Sequence, residues 1–186
     1  SVLLCFILLQ SDKPLMNLLS SKQVMNRSYN QFHLVNSYGV FGSVTKKRYE
    51  IILEGTSDHS LSKSTKWLAY EFPCKPGDVS MSPCVRSPYH YRITWQIWFA
   101  AMGSYYSSPW LPRLMYKLLS NDKISHKLLL ENPFPKDPPK YIRARLFVYQ
   151  FENPYQLGGK NWYKRTFVRD YVPAVNLQSS FLESYK

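Results

Sequence analysis

The chain has 186 residues, 45% hydrophobic and 16% aromatic, which is enough for one domain with a sizeable core and excludes disorder of the whole. Lys and Arg outnumber Asp and Glu by 24 to 12, a formal charge of +12. That balance favours an anionic partner, whether nucleic acid, phospholipid headgroups or an acidic protein, but it is equally met by a solvated basic face with no dedicated ligand.

Val2 to Leu9 is an uninterrupted apolar run. It is too short for a hydrocarbon core that needs about 20 residues, and no basic residue precedes it as one would in a signal peptide. With Gln10, Ser11, Asp12, Lys13 and Pro14 following at once, residues 1–12 are expected to be the end of a longer membrane segment, with this chain a fragment. Cys5 within the run reads as a small buried hydrophobe. Residues 13–31 read as a polar linker with one helical turn, and Asn26-Arg27-Ser28 in it satisfies the N-glycosylation rule.

A domain is expected over residues 32–175. Phe32 to Thr45 alternates around Asn36, Gly39 and Gly42, the pattern of a short hairpin. Arg48 to Glu54 is a strand with Tyr49, Ile51 and Leu53 on one face and Arg48, Glu50 and Glu54 on the other. A Ser/Thr-rich loop over 55–66 leads to a second alternating run, Trp67 to Phe72.

Trp95, Trp98, Phe99, Met102, Tyr105 and Tyr106 then fall at the spacing of one helical face, with Ala100 away from it. Leu111, Leu114, Met115, Leu118 and Leu119 repeat as a second helix. A third is expected from Asn121 or Asp122 to Asn132-Pro133, carrying Ile124, Leu128 and Leu129 inward. Strands follow at Tyr141 to Phe151 and Trp162 to Val168, and residues 176–186 read as a C-terminal tail. The expected fold is α+β: an antiparallel sheet of about five strands, counting Phe32 to Val44, with about three helices inserted mid-chain and packed on one face.

Cys74 and Cys84 enclose nine residues, among them Pro76, Gly77 and Pro83. A disulfide would close this loop and contribute about 2 to 3 kcal/mol by restricting the unfolded chain. Two buried thiols would account for the residues as simply. A zinc site with His90 would have three ligands and no C-x-x-C pair.

Arg143, Arg145, Phe147, Tyr149 and Phe151 share one face of their strand, an arrangement suited to phosphate contact and base stacking. The segment R-A-R-L-F-V-Y-Q lacks the glycine and the flanking aromatics of an RNA-recognition strand, and nucleic acid is not the expected partner. His33, His59, His90 and His126 lie in separate segments, and no H-E-x-x-H, G-x-S-x-G or phosphate-loop pattern occurs. No catalytic residue, metal or cofactor is expected.

Several runs resemble the lipase maturation factor family: Q-V-M-N at Gln23 to Asn26, L-V-N-S-Y-G-V-F-G-S-V-T-K-K-R-Y-E at Leu34 to Glu50, C-K-P-G-D at Cys74 to Asp78, S-P-Y-H-Y-R at Ser87 to Arg92 and W-Q-I-W-F-A-A at Trp95 to Ala101. N-P-F-P at Asn132 to Pro135 and P-P-K-Y-I-R-A at Pro138 to Ala144 continue it. The resemblance implies a multi-pass endoplasmic-reticulum membrane protein whose C-terminal region faces the lumen. It also implies non-catalytic help in folding and assembling dimeric secreted lipases of the lipoprotein lipase kind. In such an oxidising compartment the Cys74 to Cys84 pair would be a disulfide and Asn26 a glycosylation site. Tyr89, His90, Tyr91, Arg92, Trp95 and Trp98 are the candidate client-binding residues, although the same aromatics would also serve as core. The alternative is a basic domain that binds peripheral membrane or nucleic acid.

Overall fold

The computed structural model describes residues 2–26, 32–39, 47–84, 90–152 and 159–185. The chain divides into two compact units, Ser1–Lys46 and Lys47–Lys186.

The first unit carries two helices, α1 (Val2–Leu9) and α2 (Asp12–Leu19), neither with a buried residue. No single helix is long and apolar enough to cross a membrane. The two together meet the length and composition of a span, but are bent by 43° at the break between them. Cys5 lies exposed on α1 rather than buried, because that helix presents apolar side chains all round and buries none of them, although Phe6 meets Phe32 edge-on at 5.5 Å. Asn17 ties the turn after α2, accepting from the Val24 N–H at 2.9 Å and donating to the Ser37 hydroxyl at 3.0 Å. Residues 32–39 form no strand, and the rest of the expected hairpin lies outside the described residues.

The second unit is built on an antiparallel sheet of four described strands rather than about five. They are β1 (Arg48–Thr56), β2 (Leu68–Tyr70), β3 (Tyr141–Phe151) and β4 (Tyr163–Val175), in the order β2-β1-β3-β4. The long chain between β2 and β3 carries α3 (Arg92–Ala101), a 3₁₀ turn (Tyr105–Ser107), α4 (Trp110–Leu119) and α5 (Lys123–His126). The main core joins Ile51, Leu53, Ala144, Leu146 and Val172 of the strands to Ile97 and Ala100 of α3 and to Leu111, Leu114, Met115, Leu118 and Leu119 of α4. The α4 stripe is thus where its 3.6-residue period puts it.

The third expected helix shrinks to the single turn α5. Asp122 caps that turn, accepting from the Ser125 N–H at 2.9 Å, and the chain then leaves the helix. Leu129 is buried, but Ile124 is 70% exposed, since one turn cannot aim three apolar residues at one core. A last short helix, α6 (Ser180–Glu183), brings Leu182 into the core from the segment read as a tail.

β1 departs most from its sequence pattern. The face expected to be solvated holds Glu50 with no exposed surface and Glu54 at 8%. Ile52 on the same face joins a second, smaller cluster with Phe147 and Tyr149. A strand with neighbours on both sides is buried on both faces when something covers its second face, and here the cover is the cysteine loop.

Candidate functional site

The loop leaves β2 through Phe72, which is fixed in the core, and through the Pro73 carbonyl, which accepts from the Thr94 hydroxyl of α3 at 2.8 Å. Cys74 adopts the left-handed region at φ 56° and is joined to Cys84 by a disulfide. That bond uses both sulfurs of the zinc alternative, and no cluster of three metal-ligating side chains occurs among the described residues. The loop then lies across β1, β3 and β4. The Gly77 carbonyl accepts from the Tyr149 hydroxyl at 2.6 Å and from Arg165 at 3.3 Å. The Val79 carbonyl accepts from the N–H groups of Trp162 and Tyr163. A Cβ at position 77 would run into the Glu71 carboxylate, which would have to swing aside to admit it.

Beneath the loop is a buried charge cluster. Lys75 places its ammonium 3.3 Å from Glu50 and donates to the Pro76 carbonyl at 2.9 Å, while Arg48 reaches the other Glu50 oxygen at 2.7 Å. Burial draws the Lys75 pKa below its ordinary value, with the Glu50 charge opposing the shift. Burial raises the Glu71 carboxyl, opposed by Lys75 and by the Asp78 N–H. Asp78 is held low by the Ser80 N–H and then by the Ser80 hydroxyl, both donating to it. Burial pushes the Tyr149 phenol up to about 12, with Arg165 opposing.

Two open cavities flank the disulfide, and Pro76, Pro83 and Tyr163 border both. The larger, about 480 Å³, is completed by Met81, Tyr91, Leu129 and Leu130. The smaller, about 370 Å³, is completed by Arg48, His90, Thr94, Trp95 and Trp98. The aromatics of α3 therefore face outward. Ile97, Ala100 and Ala101 take its inner side, where two alanines let the backbone approach the sheet. Phe99 stays 46% exposed, and Met102 and Tyr106 are more exposed still, whereas Tyr105 packs against the core, so the single helical face of the sequence pattern divides between the two roles open to it.

On the outer side His90 meets Trp95 edge-on with centroids 5.6 Å apart, and Trp95 contacts Trp98 at 5.4 Å. Trp98 stacks on Phe99 at 5.6 Å, and the Arg48 guanidinium sits 5.9 Å from the Trp98 ring. Of the six residues singled out in the sequence, His90, Trp95 and Trp98 come together in one groove. Tyr91 lines the other cavity, Arg92 is exposed on the first turn of α3, and Tyr89 lies outside the described residues.

The strand weighed for RNA contact is committed inside the domain. Arg143 pairs with Glu54 at 2.7 Å and stacks 3.9 Å over Trp67. Arg145 lies between Glu54 and Asp170, and Phe147 and Tyr149 are buried. In the first unit, Asn26 is exposed, donates its side-chain amide to the Gly39 carbonyl at 2.8 Å and takes a left-handed φ of 58°. Arg27 and Ser28 of its sequon lie outside the described residues.

Residues 34–173 match the family model described as the lipase maturation factor C-terminal domain. The chain belongs to the lipase maturation factor family. It is 44% identical over 170 residues to human lipase maturation factor 1, a match covering 88% of this chain and 30% of that protein. It is 38% identical over 170 residues to lipase maturation factor 2 of Xenopus tropicalis, covering 86% of this chain and 23% of that one. The chain thus spans 30% or less of these relatives' length. No solved structure matches it. The lipase maturation factor match includes β1 and the whole Cys74 to Cys84 loop, and ends two residues before the end of β4.

Sequence reasoning missed the Glu50–Lys75 pair and the crossing of the loop over the sheet. The available signal was a carboxylate inside the apolar run Y-E-I-I-L-E, facing a lysine between two prolines that a short closed loop cannot carry far from the sheet.

Proposed function

We propose that this domain is a non-catalytic, client-binding part of a folding and maturation factor facing the endoplasmic-reticulum lumen. Its clients would be secreted proteins, foremost dimeric lipases of the lipoprotein lipase kind. Membership of the lipase maturation factor family carries the reading at the level of maturation, and the outward aromatic groove beside the disulfide supports its mechanism. Partly desolvated Trp and His rings next to a cationic Arg48 offer an incompletely folded chain apolar contact at low ordering cost, because the helix and the disulfide already fix them. The buried Glu50–Lys75 cluster sets the height of the loop and so the shape of the groove. α1 would belong to the membrane anchor, and Asn26 would carry a glycan.

The test is secretion of active lipase from cells that depend on this protein. Trp95→Ala/Trp98→Ala is expected to lower secreted lipase activity several-fold while the protein itself accumulates normally. Unchanged secretion with the variant at full abundance would contradict client binding at the groove.

A further inference from the structure

We propose that α2 lies along the surface of a phospholipid bilayer, with Leu15, Met16, Leu18 and Leu19 turned toward the acyl chains and its other side toward the loop that follows it. The proposal rests on α1 as part of the membrane anchor and is independent of the aromatic groove.

The helix pair is covered along one stripe. Phe6, Gln10, Pro14 and Asn17 recur at helical spacing, and each is half-buried. The cover comes from the segment after α2. Phe32 meets the Phe6 ring edge-on, the Asn17 side chain accepts from the Val24 N–H and donates to the Ser37 hydroxyl, and Gln23 donates to the Leu18 carbonyl at 2.9 Å. Leu15, Met16, Leu18 and Leu19 fall on the opposite side, within an arc of about 160° at 3.6 residues per turn. They are 55% to 74% exposed. A helix that is polar and tied down on one side and apolar and open on the other has the form of an interfacial helix.

The neighbouring helix chooses the occupant. α1 has apolar side chains all round and buries none of them, which suits a helix set in lipid. A protein partner seated on α2 would cover one side of α1 at most, whereas a bilayer accommodates α1 on every open side. The 43° bend at Gln10 and Ser11 turns α2 off the line of α1, as a helix must when it leaves the acyl region for the surface. Asp12 is the one charge in line with the apolar face. It stands in the first turn of α2, at the bend, where the helix N–H groups favour a carboxylate and headgroup water can reach it.

The experiment uses the full chain in phosphatidylcholine vesicles, with an environment-sensitive dye on single cysteines and with nitroxide-bearing lipids as shallow or deep quenchers. Cys5, the free cysteine, reports on α1. Met16→Cys and Leu19→Cys, each with Cys5→Ser, report on the apolar face, and Lys13→Cys with Cys5→Ser reports on the side away from it. A face set about 5 to 10 Å into the bilayer predicts shallow quenching at 16 and 19 at least about twofold stronger than at 13, and stronger than deep quenching at the same positions. Burial of apolar side chains carries the contact, so high salt should leave it unchanged. Quenching at 5 with equal quenching at 13, 16 and 19 would overturn the proposal and leave the anchor standing. Strongest quenching of 16 and 19 by the deep nitroxide would make α2 a continuation of a span, and loss of their quenching at high salt would make the contact one of charge; either would overturn it too. No quenching at any position would remove anchor and proposal together.

Discussion

Glu50 has no exposed surface, yet it sits in the middle of a strand that the sequence fills with isoleucine and leucine. Its charge is tolerated because Lys75, itself buried, comes down on it from the loop and Arg48 reaches it from the strand end. A buried pair of this kind adds little net stability over an apolar pair of the same volume, but removing one partner strands the other charge. Lys75→Met is therefore expected to destabilise the domain by about 3 kcal/mol, read as a lower urea midpoint at constant slope. Glu50→Leu/Lys75→Met should recover at least about half of that loss. A double variant as unstable as Lys75→Met alone would mean that the lysine acts through packing rather than charge.

At the scale of elements, α3 is the informative one. Its sequence interleaves two stripes: Trp95, Trp98 and Phe99 on one, Ile97, Ala100 and Ala101 on the other. Hydrophobicity alone puts the larger stripe inside, but the helix crosses β1 closely and the smaller side chains take the inner place. Ile97→Ala should then cost about 3 kcal/mol of stability and Trp98→Ala about 1 kcal/mol or less, as measured by urea unfolding of each variant. Equal losses would put Trp98 in the core after all.

α4 and β3 were legible because one period ran through each: the i, i+3, i+4, i+7, i+8 leucines and methionine of α4, and the alternation of β3, which agrees with burial from Tyr141 to Leu146 before Phe147 and Tyr149 are buried on the other face. β4 runs to Val175, well past Val168, because its register shifts break the two-residue alternation that marks a strand in sequence. α5 and the polar face of β1 were not legible, since a cap that ends a helix after one turn and a loop that covers a sheet face are both tertiary events. Of the candidate site, the disulfide loop and three of the six aromatic or basic residues could be picked out in the sequence. Their arrangement around the loop depended on Gly77 and the Glu50–Lys75 contact, which no local pattern announces.

In the molecule as a whole, the sheet is used on both sides. One face carries the core with α3 and α4, and the other carries the disulfide loop with its buried charges. The loop thereby fixes the walls of two cavities, and the outward rings of α3 complete one of them. In this lipase maturation factor domain, the second face of the sheet sets the shape of the surface that we propose as the client-binding groove. The most direct test is photo-crosslinking of a newly made secreted lipase to the protein in cells, with the photoreactive residue at position 98 and, as a control, at the exposed position 124 beyond α4. Client binding at the groove predicts a lipase adduct from position 98 that fades as the lipase matures and is absent from position 124. No adduct at 98, or equal adducts at both positions, would contradict it.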